Sequence, residues 1–250
     1  MNRRSSLLWG LVLVAAAAFG DANAAVPGYA SISPEGLKLV PDTKVDALYL
    51  REGADFSGYN KFAMLECFVA FRKNWKMDQN GAQSFRVTDS DMVRIKNDLA
   101  TQFRAVFIRE LTAKGEVQVS AVGKGVLILR PSILNLDVIA PETMNTGSNN
   151  YSASAGQATL VLELFDSVSS ELLARVIDTQ AAGNSNVIRY RNRQTNRADA
   201  EVLLTSWADR LGDALQTARA KAPGTGANAS PASAKATAAG AKASSASARP

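Results

Sequence analysis

Leu160, Leu162 and Leu164 alternate with Val161, Glu163 and Phe165. This is the two-residue period of a strand with two unlike faces. The leucine face is wholly apolar and predicts contact with a core. The face of Thr159, Val161, Glu163 and Phe165 is mixed and predicts partial cover. Asp166-Ser167-Val168-Ser169-Ser170 follows, and Asp and Ser favour turns because their side chains bond nearby backbone amides. The chain then returns with Leu172, Ala174, Val176 and Asp178 on one face and Leu173, Arg175 and Ile177 on the other. Residues 158–182 therefore predict an antiparallel hairpin at the centre of a sheet.

The rest of the pattern is arranged around it. Residues 61–71, KFAMLECFVAF, alternate poorly, as suits a central strand buried on both sides. Residues 72–87 read as a polar loop. Thr88, with Asp91 three residues on, has the spacing of a capping box. Met92, Ile95, Leu99, Phe103, Val106 and Leu111 then recur at three- and four-residue steps, one face of an amphipathic helix that Gly115 ends. A short strand is predicted at 116–121 and a long one at 125–139, with a bulge, edge or bend at Pro131. Residues 140–157 are rich in Asn, Ser and Gly and read as a loop. A last helix over about 198–219 carries Leu204, Trp207, Leu211, Leu215 and Ala218 on one stripe, with Asn196 as its cap. The fold class expected is α+β: a mixed, mostly antiparallel sheet of about five strands, with two amphipathic helices on one face.

The ends are set apart by composition. Arg3 and Arg4, the apolar run from Leu7 to Phe19, and Ala22-Asn23-Ala24 predict a signal peptide over 1–24, cleaved between Ala24 and Ala25. No Cys follows that run, so a lipoprotein anchor is not expected, and the expected location is the periplasm. Residues 25–60 read as an extended N-terminal arm and 61–220 as one α+β domain. Residues 221–250 lack any large apolar side chain, so the tail is expected to be disordered. Charge changes the picture once the ends are separated. The whole chain has a formal charge of +5, yet residues 25–220 hold 22 basic and 22 acidic side chains. The basic balance lies in the termini, and a nucleic-acid partner is not expected of the domain.

Candidate chemistry is sparse. There is no histidine, which excludes histidine acid–base catalysis, histidine triads and histidine metal sites. The single cysteine, Cys67, lies in an apolar run and is expected to be a buried, inert thiol. Gly123-Lys124-Gly125 is too short for a phosphate loop, and no acidic cluster has calcium-loop spacing. No metal or cofactor is expected. Glu163, Asp166 and Asp178 would need a shared cleft to act as a catalytic pair. The other reading has Asp166 fixing the turn and Glu163 meeting Arg175 across the strands. Arg189, Arg191, Arg193 and Arg197 form a run without an acid, and arginine forks suit carboxylate or phosphate groups.

Several stretches together resemble a known family. They are Asp55-Phe56-Ser57-Gly58-Tyr59, Ala70-Phe71 with Trp75, Ser154-Ala155-Gly156 with Leu160 to Asp166, Leu173-Ala174-Arg175, and Asn196-Arg197-Ala198-Asp199 with Trp207-Ala208. In order and spacing these resemble domain of unknown function family 3313, over nearly all of 28–219. The resemblance implies an exported protein of a Gram-negative envelope, of a kind that includes lipoproteins, and carries no activity. The expectation is therefore a non-catalytic envelope domain. Its partner would be an envelope protein, an anionic glycan or lipid, or a second copy of the chain. The alternative is a carboxylate- or Ser/Lys-based periplasmic enzyme.

Overall fold

The computed structural model describes residues 28–82, 86–141, 150–183 and 188–220. The signal peptide and the C-terminal tail expected from the sequence lie outside these residues, as do residues 142–149 of the Asn/Ser/Gly-rich loop. The strands are β1 (Lys38–Val40), β2 (Ala47–Leu50), β3 (Lys61–Met64), β4 (Phe68–Phe71), β5 (Val117–Gln118), β6 (Val126–Val138), β7 (Asn150–Ser152), β8 (Gly156–Asp166), β9 (Leu172–Ala182) and β10 (Arg189–Arg191). The helices are α1 (Trp75–Ala82), α2 (Asp89–Ala113) and α3 (Arg193–Ala220). Among the described residues no helix is long and apolar enough to cross a membrane.

The β8–β9 hairpin lies inside an eight-stranded sheet of order β1-β2-β9-β8-β6-β3-β5, with β4 pairing β6 beyond the end of β3. Pairing is antiparallel from β1 through β6 and parallel among β3, β4, β5 and β6. The parallel part follows from the long crossover through α2, which returns the chain beside β3 in the same direction. Leu160, Leu162 and Leu164 meet Leu129 and Ile133 of β6, Phe103 and Phe107 of α2, and Leu204 and Trp207 of α3 in one core. Both long helices thus cover the leucine face, as the alternation implies. Thr88 caps α2 with Asp91 in a reciprocal capping box.

Three features differ from the sequence expectation. The main sheet has eight strands, not about five, and a two-stranded pair, β7–β10, stands apart. Several of the additional strands have only three or four residues, too short to show a period of two. The described residues hold three helices, not two: α1 occupies the segment read as a polar loop. Its anchor is one side chain, Trp75, which stacks on Phe71 and donates from Nε1 to the Val138 carbonyl (3.1 Å). Finally, α3 begins at Arg193, and Asn192, not Asn196, is its cap. The Asn192 side chain accepts from the Thr195 amide (2.8 Å) while Thr195 Oγ1 accepts from the Asn192 amide (2.9 Å).

Pro131 explains why residues 61–71 alternate poorly. The Leu65 amide donates to the Leu129 carbonyl (2.9 Å), so Leu129 turns its backbone groups toward β3. Pro131, two residues on, turns the same way and has no N–H to give. The ladder stops there. Residues 65–67 leave it, and β4 rejoins β6 one residue out of step, Met64 pairing Leu129 but Phe68 pairing Ser132.

The second face of the sheet is covered in part by the N-terminal arm. Leu37 and Leu39 pack with Ala47, Tyr49 and Leu172 in a separate small core. Above the hairpin, Glu163 stands opposite Arg175, and Arg175 bonds both Glu163 (2.7 Å) and Glu35 of the arm (2.8 Å). The Arg175 guanidinium holds the Glu35 carboxyl down at about 2. Arg130 completes the row, bonding Glu163 and lying 4.7 Å from the Phe165 ring centre.

Cys67 is buried on the helix side, and burial pushes its thiol up to about 12. The thiolate is the reactive species. The native protein at pH 8 is therefore expected to react with a chromogenic disulfide reagent at least about 100-fold more slowly than the denatured chain. Comparable rates in the two states would contradict the buried setting.

Candidate functional site

The leucine face is not filled to its end. α2 and α3 run parallel, tied at one end by Lys114 to Asp213 (2.7 Å) and Arg109 to Glu201 (2.9 Å). Toward their N-termini they are linked by Gln102 Nε2 donating to the Arg197 carbonyl (2.7 Å) and by Arg193 to Asp98 (3.0 Å). Between these helices and the sheet lies an open cleft of about 500 Å³. Its walls carry Ile95, Leu99, Leu203, Leu204 and Trp207. The cleft exists because the residues that meet there are small: Ala105 and Ala200 on the helices, and Ala155, Gly156, Ala158 and Ala182 on the sheet. Larger side chains at these positions would close the layer to ordinary packing density.

Gly156 fixes the floor. The β6–β8 register shifts between Leu134 and Asp137, where Asn135 takes the left-handed region with φ 51°. The extra residue bends β6 and brings its backbone onto β8. Gly156 has φ +141°, and a Cβ there would lie 1.8 Å from the Asp137 carbonyl oxygen.

The mouth is polar. Arg94, Asp98, Arg193, Asn196 and Arg197 border it. Asp98 is paired with Arg193 (3.0 Å), and Asp137, also at the cleft, is paired with Arg72 (2.9 Å). Arg197 is exposed, and among the described residues its side chain has no ion pair. Asn196 donates from Nδ2 to the Ala140 carbonyl (3.1 Å), while its buried Oδ1 has no partner among the described residues.

The four arginines of the sequence reading therefore have different surroundings. Arg193 and Arg197 stand at the cleft mouth. Arg191 is buried, its guanidinium on Asp199 and on the Ser152 and Gly183 carbonyls. Arg189 lies in β10 opposite Ser152. The three carboxylates near the hairpin do not come together. Glu163 is on the arm side of the sheet. Asp166 accepts from the turn amides of Val168 and Ser169 and from the Tyr59 hydroxyl (2.8 Å). Asp178 faces the helices, accepting from Trp207 Nε1 (2.8 Å) and Arg210 (3.0 Å). None of the three lines the cleft.

Periodicity alone did not reveal the cleft. It marks which face of a helix is apolar, not whether the facing layers touch. The available signal is the placement of Ala105 and Ala200 near the apolar stripes, together with the small residues at 154–158.

The fold and cleft define an α+β domain in which a parallel helix pair covers one face of a mixed sheet and leaves an apolar cavity with a basic mouth. The chain belongs to the family described as protein of unknown function DUF3313, whose model matches residues 32–211. Among solved structures, it is similar to the PelC dodecamer from Paraburkholderia phytofirmans at 9% identity and a TM-score of 0.33, covering 65% of this chain and 96% of that one. A Xanthomonas campestris protein of family DUF330 is 13% identical with a TM-score of 0.36, covering 66% of this chain and 88% of that one. A minor lipoprotein from Acinetobacter baumannii is 12% identical with a TM-score of 0.29, covering 64% and 95%. No curated protein sequence matches the chain.

Proposed function

We propose that this is an exported periplasmic protein, a non-catalytic domain of the cell envelope that binds a ligand or partner in the cleft between α2 and α3. The observation that carries the reading is the cleft itself: about 500 Å³ of largely apolar space, open at a mouth that includes Arg193 and Arg197. Ligand sites are concave, mainly apolar and oriented by a few polar groups, with volumes of about 300–1,000 Å³. The leader-like N-terminus and the family resemblance support the envelope location. The carboxylate form of the enzymatic alternative has no arrangement in its favour, because Glu163 lies on the arm side, Asp178 on the helix side and Asp166 in the turn.

The test is a titration of the isotopically labelled mature protein with fractionated envelope extract, followed by amide chemical shifts. Perturbations are expected to gather on residues 94–105 and 193–207. Perturbations confined to the uncovered sheet face, or none in any fraction, would refute the cleft as the binding site.

A further inference from the structure

We infer that the cleft takes a single-chain amphiphile, with one alkyl chain between the helices and the sheet and an anionic head group at Arg197. The inference rests on the cleft being a binding site and names the chemical class of its ligand. The interior favours a hydrocarbon over a sugar. Its walls are Leu, Ile and Trp side chains over a floor of Ala and Gly joined by Ile133, Leu136 and Val138, and a chainless glycan would leave its hydroxyls unpaired against them. The small residues Ala155, Gly156, Ala158 and Ala182 leave this space beneath two parallel helices. A volume of about 500 Å³ suits one alkyl chain better than the paired chains of a bilayer lipid.

The mouth selects the head group by charge. The two acids at the cleft, Asp98 and Asp137, already have arginine partners, Arg193 and Arg72. Arg197 has none among the described residues, and an anion is what its fork would accept. It stands near the start of α3, where the helix dipole adds positive potential. Asn196 Oδ1, buried and unpartnered beside it, provides an acceptor for a hydroxyl or amide hydrogen near the head. An acyl chain with an anionic head can come from a free fatty acid or from a lysophospholipid. The two share the chain and the charge, and differ in the hydroxyl that Asn196 would engage.

Trp207 lies on the cleft wall, so its emission reports occupancy of the mature full chain. The probes are palmitate, lysophosphatidylglycerol, dodecyl maltoside and a hexuronate oligosaccharide, each below its aggregation concentration. Palmitate or lysophosphatidylglycerol is expected to saturate the signal, and the tighter of the two identifies the source. R197E is expected to weaken that binding at least tenfold while leaving dodecyl maltoside within twofold. R197Q should fall between, and both variants should keep the wild-type melting temperature because Arg197 is exposed. Equal affinity for the anionic and neutral chains, with R197E silent, would overturn the head-group assignment while leaving the cleft as a binding site. A chainless hexuronate that binds as well would overturn the alkyl chain. If no chain-bearing probe binds, the inference fails. Extract-induced shifts on residues 94–105 and 193–207 would then show whether the cleft still binds something else.

Discussion

Replacing Asp199 by alanine is expected to destabilise the fold by about 3–5 kcal/mol, the cost of breaking a buried ion pair from one side. Arg191 is the reason. Its side chain is 0% exposed and its counter-ion is Asp199 on the first turns of α3. The same guanidinium bonds the Ser152 and Gly183 carbonyls, so it ties the β7–β10 pair and the end of β9 to α3. Without the carboxylate a full charge stays buried with only carbonyl acceptors. For a domain of this size the melting temperature should fall by roughly 10 °C, given about 2–4 °C per kcal/mol. Replacing both partners by apolar residues, R191M with D199L, should recover most of the loss, because the stranded charge is gone. A D199A melting temperature within about 2 °C of wild type would show that Arg191 finds another partner or water. The experiment also separates the arginines: Arg191 holds the segment in place, whereas Arg197 is exposed and available.

Gly156→Ala should be at least as damaging. The added methyl would sit 1.8 Å from the Asp137 carbonyl oxygen, with the Val138 Cα 3.1 Å away. Backbone, not a flexible side chain, occupies the space, so β6 and β8 would have to separate. Gly156 also has φ +141°, where an L side chain is strained. A loss above about 4 kcal/mol is expected, in the tail of single-substitution effects, and seen as a reduced denaturation midpoint or as insoluble expression. Gly36→Ala is the control. It too has positive φ, +81°, but nothing lies within 4 Å of its added Cβ, so only a left-handed backbone cost of about 1–2 kcal/mol applies. Equal losses at the two positions would show that conformation, not the close approach of β6, sets the requirement at Gly156.

Much of this arrangement was legible in local spacing. The leucines at 160, 162 and 164 and the turn at 166–170 gave the hairpin, because a two-residue period reports the core face directly. Thr88 and Asp91 gave the α2 cap, since the capping box is made within four residues. The pairing of Glu163 with Arg175 followed from the hairpin register. Less legible were elements held by one distant contact. α1 is anchored by Trp75 on Phe71 and Val138, and a mostly polar eight-residue helix shows little pattern of its own. The break between β3 and β4 has its cause in Pro131, on a neighbouring strand far later in the chain, and not in the residues that leave the ladder.

The arginine run shows where the two kinds of information divide. The sequence put four arginines between 189 and 197 without an acid among them, and composition could not rank them. Only the tertiary structure gave Arg191 a buried counter-ion eight residues on and set Arg193 and Arg197 at a cleft. What the sequence determined by itself was what depends on near neighbours: the α+β class, the central hairpin, the two long amphipathic helices, the neutral balance of residues 25–220 and the lack of histidine chemistry. What the tertiary structure alone decided was where packing stops. A cavity is the space left when residues far apart in sequence fail to fill a shared volume, and that failure at Ala105, Ala158, Ala182 and Ala200 is a property of their assembly in space, not of any one stretch of chain.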